Sequence, residues 1–109
     1  MELLATGSLS GPEARAAVRI IDADQGPTIE LSDLWVAPGA PDVRLFASPH
    51  ADGTIDTTST ELGLVPYGET VQRWPFPSTL GADQARSVVV YCHIYSVHFG
   101  HAEMEWLAQ

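Results

Sequence analysis

The sequence has no lysine and only one cysteine, and each scarcity excludes a class of protein. Its five basic residues are all arginines, against fourteen acidic residues, so the formal net charge is −9. A surface of that sign repels phosphate backbones and anionic lipids, which argues against nucleic-acid and membrane partners. The single cysteine, Cys92, can form neither an internal disulfide nor a CxxC redox pair.

Export signals and common catalytic motifs are also missing. The first residues, MELLATGSLSG, lack the basic segment and apolar core of a signal peptide, and no window reaches the ~20 apolar residues of a membrane span. We therefore expect a cytoplasmic protein, although a trimmed export signal would leave the same chain. The absence of GxSxG, P-loop, GxGxxG and HExxH motifs gives no support to hydrolase, nucleotide-binding or zincin chemistry.

What the sequence does contain is typical of an all-β protein. It has nine glycines and eight prolines in 109 residues, and only 17% of its residues are charged. Short β-branched or alternating runs lie between Gly/Pro turns, and no long amphipathic period is present. We predict a single domain over residues 1–109, folded as an antiparallel β-sandwich of about eight or nine short strands.

The segment from Ser87 to Trp106 concentrates the residues with chemical potential. Ser87–Cys92 is predicted to be a buried strand, and a turn is expected near His93–Ile94. Further strand follows, with Gly100 as the expected bulge or kink, because glycine relieves the clash where a strand bends. A bulge there is needed to align the histidines that flank it. The polar face of this part is predicted to carry His101, Glu103 and Glu105.

This segment resembles the C-terminal part of the DM13 (DM-thirteen) domain family. The matching positions are Cys92, Tyr95–Val97, Phe99-Gly100 and Ala102–Met104. Two earlier blocks also resemble the family. The first is Asp33-Leu34 with Pro41–Phe46, in which Leu34 replaces the family's usual phenylalanine. The second is Leu62–Val65 with Gly68 and Trp74-Pro75, in which Val65 replaces the family's second leucine. The resemblance spans roughly residues 5 to 107. It implies a β-sandwich with an electron-transfer role in which Cys92 takes part in redox chemistry or ligates a metal or haem.

The residues themselves favour a different hypothesis, which we place first. Histidine titrates near neutrality and can form an acid/base pair with a carboxylate, while a tyrosine hydroxyl can stabilise an oxyanion. Aromatic side chains can form the walls of an apolar pocket. The candidate catalytic residues are His93, His98, His101, Glu103, Tyr95 and Cys92, with Glu105 or Asp33 as further acids. The candidate substrate-binding residues are Trp35, Trp74, Tyr67, Tyr91, Arg44 and Phe46.

On this hypothesis the protein is a small stand-alone enzyme that binds a small organic molecule, such as a biosynthetic intermediate. It would catalyse a cofactor-free dehydration, addition, isomerisation or cyclisation. No metal site is predicted, since His93 adjoins Cys92 and should point to the other face of a strand. The alternatives are an electron-transfer or oxidative-modification module that uses Cys92, and a binding module without chemistry. Exposed strand edges make a homodimer compatible with the sequence.

Overall fold

The computed structural model describes residues 1–107, which form nine strands in two antiparallel sheets packed as a sandwich. The predicted fold class is confirmed. No helix among these residues is long and apolar enough to cross a membrane. The strands are β1 Glu2–Leu9, β2 Ala14–Ala23, β3 Gly26–Val36, β4 Val43–Ser48, β5 Thr60–Leu64, β6 Gln72–Pro75, β7 Ser87–Cys92, β8 Val97–Glu103 and β9 Glu105–Trp106.

The larger sheet has the strand order β6-β3-β2-β1-β9, and the smaller sheet has the order β5-β4-β7-β8. The chain changes sheet at Met104, whose side chain is buried and whose N–H donates to the carbonyl of Arg86 at 2.8 Å. Glu103 therefore ends a strand of the smaller sheet, while Glu105 lies in the larger one. The predicted alternation is confirmed, since Glu103 and Glu105 are exposed and the residues that precede them, Ala102 and Met104, are buried.

Alternating burial defines the core between the sheets. In β2 every second residue from Ala14 to Ile20 is buried, as expected for a strand with one face against a core. β7 contributes Val88 and Val90, both 0% exposed, to the same core. Full burial of such a side chain stabilises the fold by about 1.5–3 kcal/mol. The sandwich is therefore held mainly by these inward-facing aliphatic residues.

A bulge in β3 changes the direction of Asp33. Arg15 pairs with Trp35 but Ala17 pairs with Ser32, so two residues of β3 face Ala16 alone. Asp33 takes φ 49° at this point, a left-handed conformation that aspartate tolerates better than most residues. Its side chain is therefore exposed, whereas Ile29 and Leu31 earlier in the same strand are buried.

The outer face of the larger sheet carries a buried carboxylate. Glu30 is 5% exposed and accepts hydrogen bonds from Arg19 at 2.6 Å and from Arg73 at 2.7–2.8 Å. These residues lie opposite one another on β2, β3 and β6. The hydrogen bond from Arg19 does most to lower the pKa of Glu30, and Arg73 adds to the lowering against the opposing effect of burial. The trio therefore ties three adjacent strands together.

Candidate functional site

Cys92, the last residue of β7, lies in the core. Its side chain is 1% exposed and belongs to the same apolar cluster as Val88 and Val90, the residues two and four positions before it. This alternation places the thiol on the inner face of the smaller sheet. Val43 on β4 is its cross-strand partner. The thiol therefore lies among the aliphatic side chains of the core.

An apolar cavity opens at the end of the sandwich that holds Cys92. Its volume is about 310 Å³, at the small end of the range for ligand pockets. Val43 forms part of the wall, so the cavity approaches the thiol to within one strand. The other lining residues come from the ends of β3 and β5 and the loops beside them, namely Val36, Ala40, Pro41, Asp42, Leu64, Val65, Pro66 and Tyr67.

A bulge in β8 brings two histidines together on the outer face of the smaller sheet. Val90 pairs with Gly100 but Tyr91 pairs with His98, so the register shifts beside the glycine, as predicted. His98 and His101 then lie on the same side, and His98 Nε2 is 3.1 Å from His101 Nδ1. The rings meet edge to face, with their centroids 5.0 Å apart. Desolvation, together with the charge of His101, lowers the pKa of His98.

The loop between β4 and β5 folds over this outer face. The buried hydroxyls of Ser48 and Ser87 donate to the carbonyls of Thr54 and His50, each at 2.6 Å. Gly53 passes so close to His101 that a Cβ at this position would lie 2.7 Å from the ring. The two serines that anchor the loop carry no sequence pattern by which this contact could be predicted.

Two aspartates that the sequence did not single out shape this loop. Asp52 accepts hydrogen bonds from the N–H and hydroxyl of Thr54, and Asp56 does the same with Thr58. These bonds lower the pKa of both aspartates, and for each the threonine hydroxyl is the leading cause. The repeated Asp-x-Thr spacing is a turn pattern that would have found them. His50 is held to Asp56 at 2.8 Å and does not join the other histidines.

The other candidate catalytic residues lie apart from the histidine pair. His93 is exposed in the β7–β8 turn, stacked 6.3 Å from the ring of Phe46. Tyr95 is 66% exposed at the tip of that turn. Glu103 is exposed at the far end of β8, where it lines a shallow cavity with Arg86 and other residues. Five cavities on the described part of the chain have no histidine in their walls.

The predicted substrate-binding residues are also divided among separate places. Trp74 is 8% exposed in the core, where its Nε1–H donates to the carbonyl of Leu64 at 2.9 Å. Trp35 is held under Arg15 on the larger sheet, with the guanidinium 4.7 Å from the ring. On the smaller sheet Phe46 packs edge-on to Tyr91, while Arg44 is paired with Asp42 and Glu61. Of these residues, Tyr67 alone lines the apolar cavity.

Comparison with known proteins identifies a family. A family model described as "Electron transfer DM13" matches residues 10–104, which include Cys92 and all of β2 to β8. No curated protein and no solved structure matches the chain.

This match contradicts the hypothesis of a cofactor-free proton-transfer enzyme, because the family is described by electron transfer. The geometry gives the physical reason. The histidines proposed as acid or base bond to each other, or lie against other side chains, instead of facing a carboxylate across a pocket. Cyclase, lyase and biosynthetic roles have no support, and the alternative based on Cys92 agrees with the family.

Proposed function

We propose, since the chain belongs to the family of electron-transfer DM13 domains, that it is an electron-transfer module whose redox role depends on Cys92. The single observation that carries this proposal is the family match over residues 10–104. The position of Cys92 supports it, because the cysteine ends a central strand and its cross-strand partner Val43 lines an apolar cavity that is open to solvent.

The side chains around Cys92 do not fit a resident metal ion or haem. A closed metal site needs three or four convergent protein ligands, and a haem iron needs an axial position at the sulfur. Among residues 1–107, no three His, Cys, Asp or Glu side chains converge on one point. On the inner face, the thiol meets the aliphatic core that includes Val43 and Val90. We therefore assign no step to a group bound at this sulfur.

The electron-transfer step that this chain can support is thiol–disulfide exchange with a partner. Cys92 is the only cysteine, so the second and third sulfur atoms must come from a disulfide on another molecule. The Cys92 thiol loses its proton to water and attacks one sulfur of that disulfide. A mixed disulfide forms, the partner's S–S bond breaks, and the other partner sulfur leaves as a thiolate that takes up a proton. Cys92 is oxidised and the partner is reduced.

Exposed apolar side chains at the same end of the sandwich support a docking role for it. They lie in the β7–β8 turn, at the start of β8, at the ends of β3 and β5, and in the loop before β6, and are 39–66% exposed. Redox encounters bury small interfaces, so a patch of this kind beside the thiol suits a transient partner. The residues are Trp35, Leu64, Tyr67, Val71, Ile94, Tyr95 and Val97.

Several expectations from the sequence remain predictions beside this proposal. They are the cytoplasmic location, a small-molecule partner, the exclusion of nucleic acid and membranes, homodimer formation and the single domain. A cytoplasmic location would expose Cys92 to the glutathione pool, which supplies both a thiol and a disulfide.

The proposal is tested with Ellman's reagent, an aromatic disulfide, under native conditions. We expect one equivalent of coloured thiol per chain, released faster than the global unfolding rate of the same sample. A Cys92→Ala variant should release none. If wild-type protein reacts only as fast as it unfolds, Cys92 is a packing residue and the proposal fails.

A further inference from the structure

We propose that His98 and His101 together form a binding site for a divalent transition-metal ion that prefers imidazole, with Cu²⁺ bound most tightly. The site lies on the outer face of the smaller sheet, on the opposite side from Cys92. The inference rests on the geometry of the pair and is independent of the proposed role of the thiol.

The spacing of the two facing nitrogens is that of neighbouring ligands on one ion. His98 Nε2 and His101 Nδ1 are 3.1 Å apart. Two nitrogens that bind one ion at about 2.0–2.1 Å are about 2.8–3.4 Å apart in square or tetrahedral coordination. An ion can therefore bind when both rings rotate away from the line that joins the two nitrogens, so that both lone pairs point toward it. Imidazole suits copper, zinc and nickel, and copper leads the order of affinity for divalent ions.

The proton balance of binding is simple. In the neutral pair, one facing nitrogen carries the hydrogen that bonds to the other. For the ion to bind, that hydrogen must leave and the remote nitrogen of the same ring must take one up through solvent. The two imidazoles stay neutral, no net proton is released, and both facing nitrogens become ligands.

The fold fixes the backbone of the site at His101. The backbone N–H and carbonyl of His101 both bond to Ser10 at 3.0 Å, so β8 is fixed to the end of β1 at this residue. On its other side His101 pairs with Val89 of β7. Gly53, in the loop between β4 and β5, lies against the His101 ring. A site on fixed strands loses little rotational freedom when a ligand binds.

The surrounding charge also favours a cation. The Asp52 carboxylate is near enough to His98 to oppose the lowering of the pKa of that ring. Within residues 1–107 no third His, Cys, Asp or Glu side chain converges with the pair in a metal-binding arrangement. The protein thus supplies two nitrogens, and water completes the coordination. We expect reversible binding at an open site, unlike the closed sites of structural zinc.

The test is a titration of metal-free protein with Cu²⁺, followed by calorimetry and by the nitrogen couplings in the electron paramagnetic resonance spectrum. We expect one equivalent with two coordinated imidazoles. His98→Ala and His101→Ala should each lower the association constant at least tenfold and remove one imidazole. His93→Ala, which removes an exposed histidine, and Cys92→Ala should change neither quantity.

Folding of each variant is checked by near-ultraviolet circular dichroism. His98→Gln is the second variant, because His98 is only partly buried and lies on the edge strand β8. The inference is overturned if wild-type protein takes up no ion, or if affinity is equal in the folded His98 variants and wild type. Loss of binding in His93→Ala or Cys92→Ala would overturn it as well. A failure of Cys92 to react with disulfides would overturn the proposed electron-transfer role and would not affect the inferred metal site.

Discussion

Cys92 lies directly across from Val43 on the neighbouring strand, and Val43 forms part of the wall of the apolar cavity at that end of the sandwich. The only thiol of the chain is therefore buried, and the residue that faces it across the sheet reaches an opening to solvent. A buried thiol can take part in exchange with a partner when a local opening of the structure exposes its sulfur, and we expect such an opening at this end of the sandwich.

Shortening Val43 should make the thiol more reactive. Val43→Ala removes two methyl groups between the cavity and Cys92 and should cost about 1–3 kcal/mol of stability. We expect the rate of modification by Ellman's reagent to rise by about tenfold beyond what this loss explains. The matched control is Val18→Ala, which shortens a buried valine on β2 of the other sheet. Equal rates in the two variants at equal free energy of unfolding would show that the cavity is not the route to the sulfur.

The stability of the protein should be sensitive to substitution of Gly53 in the β4–β5 loop. This residue has φ +80°, and a Cβ there would meet the His101 ring at 2.7 Å. Gly53→Ala should therefore lower the free energy of unfolding by more than the ~1–2 kcal/mol cost of a left-handed residue alone. Gly26→Ala is the control, because φ is +109° and no atom lies within 4 Å of the added carbon. Urea denaturation measures the free energy of unfolding of both variants. An equal loss in the two variants would show that Gly53 is not in close contact with His101.

Glu30 should make stability depend on acid pH. Its pKa is lowered in the folded state, so the stabilisation is complete above the unfolded pKa of about 4.3 and is lost as pH falls through the folded value. Glu30→Gln should cost about 1.5–3 kcal/mol at pH 7, since it removes charged hydrogen bonds. The difference from wild type should shrink below about pH 4.

The control for this prediction is Glu61→Gln. Glu61 pairs with Arg44 at 2.7 Å, but its side chain is 40% exposed. An exposed pair contributes about 0–1 kcal/mol. Urea denaturation at pH 7 and pH 3 compares the variants. A Glu30→Gln protein as stable as wild type at pH 7 would show that the two arginines do not stabilise the carboxylate.

Much of the fold could be predicted from the sequence because the signals are local. The run Ser87–Cys92 forms a strand with the predicted bounds, and the bulge falls beside Gly100 as expected. These features depend on β-branched side chains and on the steric freedom of glycine, which act over a few residues.

The long-range features could not be predicted in this way. The burial of Trp74 and the change of sheet at Met104 depend on which strands meet, and alternation along one strand does not determine that. The function predicted from the sequence was wrong for a related reason. Single residues that suit acid/base chemistry were grouped by residue type, whereas the fold separates His93 and Glu103 from the His98–His101 pair.

The central claim is that Cys92 gives and receives electrons in the folded protein. Its most direct test is a titration of native protein in buffers with a fixed total glutathione concentration and a varied ratio of oxidised to reduced glutathione, with the mixed disulfide at Cys92 counted by intact mass. We predict that one mixed disulfide per chain forms as the ratio rises and is reversed as the ratio falls. A Cys92 that stays reduced at every ratio, while the unfolded chain is readily oxidised in the same buffers, would contradict the account.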